Sequence, residues 1–204
     1  LTRSDVQPCS DALVATLRDA FYPLETPISE LPIGGYRSDD RVRPRPAAVL
    51  LGVIRETEPR VLLTRRSMQL RQHPGQVALP GGRAEAGDDS VLATALRETA
   101  EETGIPGDAI SPLGYLGRYD TVTGYRVTAV VGMIESGCCW VPDRREIDEI
   151  FAVPLADVIN PDCYLRHSVR HAGRRFEILT LKHAEQHIWG ATAAMLYEFG
   201  QRIG

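Results

Sequence analysis

The sequence predicts an α/β or α+β layered domain. Three observations carry that prediction: strand-like apolar runs recur along the chain, two or three helical segments lie among them, and no repeat or low-complexity stretch interrupts the pattern. The 204 residues suffice for a core of their own, and 43% hydrophobic with 25% charged residues is a globular composition.

The elements follow in order. From Ser10 to Phe21, apolar residues at Leu13, Val14, Leu17 and Phe21 have helical spacing, capped by Ser10 or Asp11. The Pro- and Gly-rich segment from Pro23 to Pro46 reads as a long surface connection, so residues 1–46 form an N-terminal helix and linker ahead of a globular unit spanning 47–204. Ala47–Ile54 and Val61–Thr64 read as strands around a polar turn, and Gln76–Leu79 as a short third strand running into Pro80-Gly81-Gly82. Ser90–Thr103 is a helix with Ser90 as N-cap, an Ala/Leu interior, and Gly104 with Pro106 as its stop. Leu113–Tyr119 and Tyr125–Ile134 read as strands joined near Thr123-Gly124, Leu155–Ile159 as a short helix, and Cys163–Val169 with Arg174–Leu179 as a hairpin around His171–Gly173. A closing helix is expected from about Glu185 to Arg202.

Composition narrows the partners. No apolar run approaches the ~18–20 residues of a membrane-spanning helix, so no membrane association is expected. A formal net charge of −4 disfavours nucleic acid as partner and leaves a small phosphorylated molecule open. Lys182 is the only lysine among 23 basic residues; arginine is the side chain that grips phosphate in a planar, bidentate manner. Cys9, Cys138, Cys139 and Cys163 form no regular framework, which points to a reduced, cytoplasmic protein.

The chemistry concentrates in Gly81-Gly82-Arg83-Ala84-Glu85-Ala86-Gly87-Asp88-Asp89-Ser90 and Arg97-Glu98-Thr99-Ala100-Glu101-Glu102-Thr103-Gly104-Ile105. On a helix Glu98, Glu101 and Glu102 stand at i, i+3 and i+4 and share a face. Three like charges there repel, and a divalent cation offsets that cost. A solvated acidic face is the bland alternative; the nearby glycine pair and Arg97 argue against it. Gly81-Gly82 lets the backbone approach a ligand and offer carbonyls to the same ion, Gly82 to the metal and Gly81 to substrate. Arg97 is placed to orient a loop carboxylate, Asp88 or Asp89, against the helix.

Here the sequence resembles the Nudix hydrolases, whose signature is Gly, five residues, Glu, seven residues, then Arg-Glu-apolar-x-Glu-Glu-x-Gly-apolar. Three departures stand out: Thr99 replaces the apolar residue, Asp replaces the first Glu, and one extra residue lies between Gly82 and Arg97. Counting from Gly82 selects Asp88; counting back from Arg97 selects Asp89. The resemblance implies a Nudix-type α/β/α sandwich with a mixed central sheet. It also implies Mg²⁺ or Mn²⁺ held by Glu98, Glu101 and Glu102, and Glu98 or Glu149 as proton acceptor.

A second segment, Leu62-Leu63-Thr64-Arg65-Arg66-Ser67, then Arg71, Gly75 and Leu79-Pro80-Gly81-Gly82, resembles the extra motif of the coenzyme A diphosphatase branch, with Leu79 where that branch usually has Phe. Tyr125-Arg126-Val127-Thr128, Glu146–Pro154 and Ile188–Ala193 extend the likeness. It implies hydrolysis of coenzyme A or its thioesters to 3′-phosphoadenosine 5′-phosphate and 4′-phosphopantetheine, with Arg65, Arg66 and Arg71 as phosphate-binding candidates. Arg65 and Arg66 point to opposite sides of a strand, so both cannot hold one phosphate. The alternatives are a Nudix diphosphatase for ADP-ribose, dinucleotides or nucleoside triphosphates, and a non-catalytic nucleotide-binding module.

Other features read more plainly. His167/His171 and His183/His187 have i, i+4 spacing but lack a zinc motif, and no phosphate-loop lysine follows Gly81-Gly82. Trp189 with Ile188, Ala193, Leu196 and Phe199 fits a buried helix face. Packing over the sheet and a homodimer contact are the two roles open to residues 1–46.

Overall fold

The computed structural model describes residues 11–35, 43–171, 174–184 and 186–204; Cys9, the Ser10 cap, the hairpin tip at Ala172-Gly173 and Glu185 lie outside them. In chain order the elements are α1 (Asp11–Ala20), β1 (Ile33–Gly35), β2 (Arg45–Ile54), β3 (Arg60–Arg66), β4 (Val77–Ala78), β5 (Gly81–Arg83), α2 (Val91–Thr103), β6 (Ile110–Asp120), β7 (Tyr125–Ile134), β8 (Ile147–Pro154), α3 (Leu155–Ile159), β9 (Tyr164–His171), β10 (Arg174–His183), β11 (Gln186–Trp189) and α4 (Gly190–Ile203).

An eight-stranded mixed sheet runs β1-β6-β7-β2-β3-β4, with β5 also paired to β2 and β8 to β3. β2 lies parallel to β7 over its whole length, from Arg45↔Tyr125 to Ile54↔Ile134. Alternate residues of β2 serve opposite faces: Ala47, Leu51 and Val53 join one core, and Ala48, Leu50 and Ile54 the other. The first core is covered by α1, α3 and α4 through Leu17, Val158, Leu196 and Phe199, the second by α2 through Ala95. Helices on both faces make this the expected α/β/α sandwich. Burial on both sides also explains why β2 and β7 read as unbroken apolar runs. Leu50 and Leu51 are fully buried on opposite faces, each contributing roughly 1.5–3 kcal/mol.

Two expectations are corrected, and two strands are added. Pro23–Pro46 is more than a surface connection. Tyr22 exchanges backbone hydrogen bonds with Tyr115 at 3.0 and 2.8 Å, Leu31 is buried, and β1 pairs parallel with β6. Proline and glycine hid a segment whose backbone partners lie some ninety residues away in sequence; the Arg118 guanidinium adds hydrogen bonds to the Leu31 and Ser29 carbonyls. The closing helix starts at Gly190, because Gln186–Trp189 forms β11, paired with β10 in a separate three-stranded sheet with β9. His183 and His187 therefore sit on strands, and Trp189 is 38% exposed rather than buried. Finally, Gly81-Gly82 belongs to β5, paired with Val49 and Ala48 of β2, and β8 is a further strand beside β3. No helix among the described residues is long and apolar enough to cross a membrane.

Candidate active site

α2 is built as its sequence requires. The Ser90 hydroxyl accepts a hydrogen bond from the Ala93 N–H at 3.0 Å, and Gly104 closes the helix in the left-handed conformation at φ 73°. Thr99 occupies the apolar signature position while fully buried, and its hydroxyl donates to the Ala95 carbonyl at 2.7 Å. That bond satisfies the one polar atom by which threonine departs from an apolar residue.

The three glutamates leave α2 at graded depths. The side chain of Glu102 is 5% exposed, that of Glu98 16% and that of Glu101 60%. β5 lies against the two deep ones. The Gly81 N–H donates to Glu102 Oε2 at 3.2 Å, and a Cβ on Gly82 would overlap the Glu98 carboxyl group. Gly81 itself has φ 149° and its missing Cβ would overlap the Ala48 carbonyl and Val49 backbone, so the strand reaches β2 only as glycine.

Arginines distribute the charge. Arg97 Nε and Nη2 bind Asp88 at 2.8 and 3.0 Å, while Nη1 reaches Glu98 at 3.1 Å and Glu101 at 3.2 Å. Asp88 also accepts from the Glu85 N–H and the Thr94 hydroxyl, and these donors with Arg97 hold its carboxyl well below the usual carboxylate range. Asp89 is exposed and has no such bonds among the described residues. Of the two loop carboxylates left open by counting, Asp88 is the one that faces Arg97.

Arg66 Nη1 lies 3.6 Å from Glu102 Oε1. Burial pushes the Glu102 carboxyl up to about 8 against the opposing pull of Gly81 and Arg66; Glu98 and Glu146 add repulsion. Glu98 is raised for the same leading reason, opposed by Arg97. Two carboxyls raised chiefly by desolvation, each with one arginine at its side, form a site of oxygen donors that suits a hard divalent cation once Glu102 gives up its proton. Among the described residues no three His, Cys, Asp or Glu side chains converge into a finished metal cage.

All this lines one cleft of about 1050 Å³ that includes Arg66, Gly81, Gly82, Arg97, Glu98, Glu101 and Glu102. Not every arginine singled out in the sequence reaches it. Arg65 turns the other way, to Glu149 at 2.9 Å and to the Gln186 side chain, and Arg71 is exposed outside the cleft. With Glu149 neutralised in that pair, Glu146 is the carboxylate that the start of β8 sets into the cleft. The β3–β8 register, Arg65 against Glu149, separates the two; only strand pairing carried that signal. Sequence reasoning also missed Tyr119, Tyr125, Trp189, Arg166 and Arg170 as cleft residues, since they come from four strands distant in sequence.

The NUDIX domain family matches residues 43–176, which include Arg66, Gly81, Gly82, Glu98, Glu101 and Glu102. The chain is a Nudix hydrolase. A Salmonella newport protein named uncharacterized Nudix hydrolase NudL is 39% identical over 160 residues, covering 78% of this chain and 83% of the relative. Among solved structures, a MutT/nudix family protein from Enterococcus faecalis is 16% identical with a TM-score of 0.52, covering 82% of this chain and 65% of that one. The likeness is one of fold. The Nudix domain of Shewanella oneidensis NrtR, crystallised with ADP ribose, is 22% identical with a TM-score of 0.46, covering 61% and 81%. As a Nudix hydrolase the protein is a pyrophosphate-hydrolysing enzyme of a family that generally uses divalent cations.

Proposed function

We propose that this Nudix hydrolase cleaves the diphosphate linkage of coenzyme A or its thioesters, releasing 3′-phosphoadenosine 5′-phosphate and (acyl-)4′-phosphopantetheine. One observation carries the reading. The segment joining β3 to β4, in which Ser67, Arg71 and Gly75 resemble the coenzyme A branch, sets their neighbours Gln72, His73 and Gln76 into the same cleft as Glu98 and Glu102, which Arg66 of that motif also lines. At about 1050 Å³ the cleft lies at the top of the ~300–1,000 Å³ typical of small-molecule sites, which suits a long substrate.

Glu98, Glu101 and Glu102 with the Gly82 carbonyl are the residues that would hold Mg²⁺ or Mn²⁺, which supplies Lewis acidity toward phosphoryl oxygens. The protein's own groups do the rest. Arg66 provides a guanidinium for the diphosphate charge, next to the deepest glutamate. Arg97 is a positioning residue: it fixes the directions of Glu98 and Glu101 and ties the loop to α2 through Asp88. Hydrolysis requires a water in line with the breaking P–O bond, and the exposed mouth of the cleft beside Glu101 admits it.

The test is a panel of diphosphates (coenzyme A, an acyl thioester, ADP-ribose, a dinucleotide, a nucleoside triphosphate) with products identified by mass, each with Mg²⁺, with Mn²⁺ and with chelator. The expected result is highest kcat/KM on coenzyme A or its thioester and loss of turnover with chelator. Preference for ADP-ribose, dinucleotides or triphosphates would replace this reading with the broader diphosphatase one.

A further inference from the structure

We propose that Arg166 and Arg170 of β9 form a separate wall of the cleft that binds the ribose 3′-phosphate of coenzyme A. The inference rests on the coenzyme A reading and deepens it by locating where that substrate is told apart from other diphosphates.

Five arginines line the cleft: Arg66, Arg83, Arg97, Arg166 and Arg170. Three belong to the diphosphate end. Arg97 and Arg66 are engaged with the glutamates, and Arg83 follows Gly82 on β5. The other two rise from the three-stranded sheet, a different element that shares no strand with the glutamate site. Arg166 and Arg170 are four residues apart on one strand, so they project to the same side.

The fold balances their charge only in part. Among the described residues Arg170 has no carboxylate within ion-pair distance, and its partner across the ladder is Arg175. Like charges directly opposite one another destabilise a sheet. Arg175 turns its Nε to the Ser168 hydroxyl and supplies no counter-charge. Arg166 meets Glu177 only at 3.8 Å with both side chains more than half exposed, and packs its guanidinium 5.2 Å from the Tyr197 ring. Glu177 also lines this part of the cleft and balances one of the two charges, so the wall stays positive by the charge of Arg170 in a chain whose net charge is −4. A compact dianion offsets the repulsion, and a phosphate monoester matches the guanidinium fork. Besides its diphosphate, coenzyme A carries one such group. ADP-ribose and simple dinucleotides carry none, so the wall would select among substrates that the glutamate site treats alike.

The experiment compares the wild-type enzyme with Arg170→Gln, Arg166→Gln and Arg170→Lys, measuring kcat and KM for coenzyme A and for 3′-dephospho-coenzyme A, with melting temperatures as a folding check. Loss of a charge-assisted hydrogen bond is worth roughly ten- to hundredfold. The wild-type preference for coenzyme A is expected to shrink by about that factor in each glutamine variant, through KM rather than kcat. Arg170→Lys is expected to fall between, since it keeps the charge but not the fork. Glutamine variants that change both substrates equally, or neither, overturn the proposal and leave the coenzyme A reading standing. A wild-type enzyme that hydrolyses both compounds without distinguishing them likewise overturns this proposal alone, whereas one that hydrolyses neither sinks the coenzyme A reading itself and this proposal with it.

Discussion

Arg97 holds both carboxylate oxygens of Asp88, Nε to Oδ1 at 2.8 Å and Nη2 to Oδ2 at 3.0 Å, while its remaining Nη1 bridges Glu98 and Glu101. One guanidinium thereby ties the loop after β5 to the reactive face of α2. Removing the acid should free Arg97 to swing and let both glutamates drift. Asp88→Asn is expected to lower kcat by about 10–100-fold, the usual cost of losing a group that orients a ligand. Asp89→Asn, one residue along and exposed, is expected to leave kcat within about twofold of wild type. Steady-state rates of the two variants settle the matter; a loss confined to Asp89→Asn would mean that the loop is read in the other register, and equal losses would refute the distinction.

The buried Glu102 makes metal binding and stability depend on pH. Its carboxyl is raised from 4.5 to about 8, so between those values the folded chain holds a proton that the unfolded chain releases. Metal-free stability is therefore expected to fall as pH rises through that window, and to fall less in Glu102→Gln, which has no charge to bury. A cation requires the ionised form. Its affinity should accordingly climb with pH to about 8, with a proton released on binding. Thermal melts from pH 5 to 9 and titration calorimetry of Mn²⁺ in buffers of different ionisation enthalpy measure both. No proton release at pH 7 would contradict the burial argument.

Gly81 and Gly82 are neighbours whose substitutions should fail in different ways. The atoms nearest a Cβ on Gly82 are the carboxyl end of Glu98, which swings aside at little cost to the fold. Gly82→Ala is thus expected to keep its melting temperature and lose most of kcat. A Cβ on Gly81 meets the backbone of β2, and its φ of 149° suits no other residue. Gly81→Ala is expected to cost ~1–3 kcal/mol of stability or more. Denaturant melts set beside rates separate the two; parallel behaviour would refute the distinction.

What the sequence could convey follows from the range of each interaction. α2 was readable to its caps, because Ser90, Gly104 and the glutamate spacing are local. β7 and α3 were likewise readable to the residue, as apolar runs bounded by turns. Most of what was missed involves distant partners. β1 and Leu31 are held by β6 and β5 by β2, where remote backbone supplied a ladder that proline and glycine composition concealed. β11 is the exception: it pairs with β10, its neighbour in sequence, and its residues read as the first turn of the closing helix. The candidate site divides the same way. The glutamates and Arg97 lie within one helix and were visible as a pattern. The choice of Asp88 over Asp89, Arg66 over Arg65 and Glu146 over Glu149 depends on which way each backbone turns against its neighbour.

That last dependence gives a prediction of its own. Arg65 and Arg66 are adjacent on β3, yet Arg66 enters the cleft beside Glu102 while Arg65 pairs with Glu149 outside it. Both Arg65 and Glu149 are more than a third exposed, so that pair contributes at most ~1 kcal/mol. Arg65→Gln is expected to lower the melting temperature slightly and leave kcat/KM unchanged. Arg66→Gln removes the cation beside Glu102 in the cleft and a guanidinium facing the diphosphate. Losing a hydrogen bond to a charged phosphate is worth roughly 1.5–3 kcal/mol, so kcat/KM should fall about ten- to hundredfold. Removing that cation also pushes the Glu102 carboxyl further up, and the rising limb of the pH–rate profile should move to higher pH in Arg66→Gln but not in Arg65→Gln. Profiles that shift in both variants, or in neither, would show that the alternation of β3 does not assign these two arginines to different tasks.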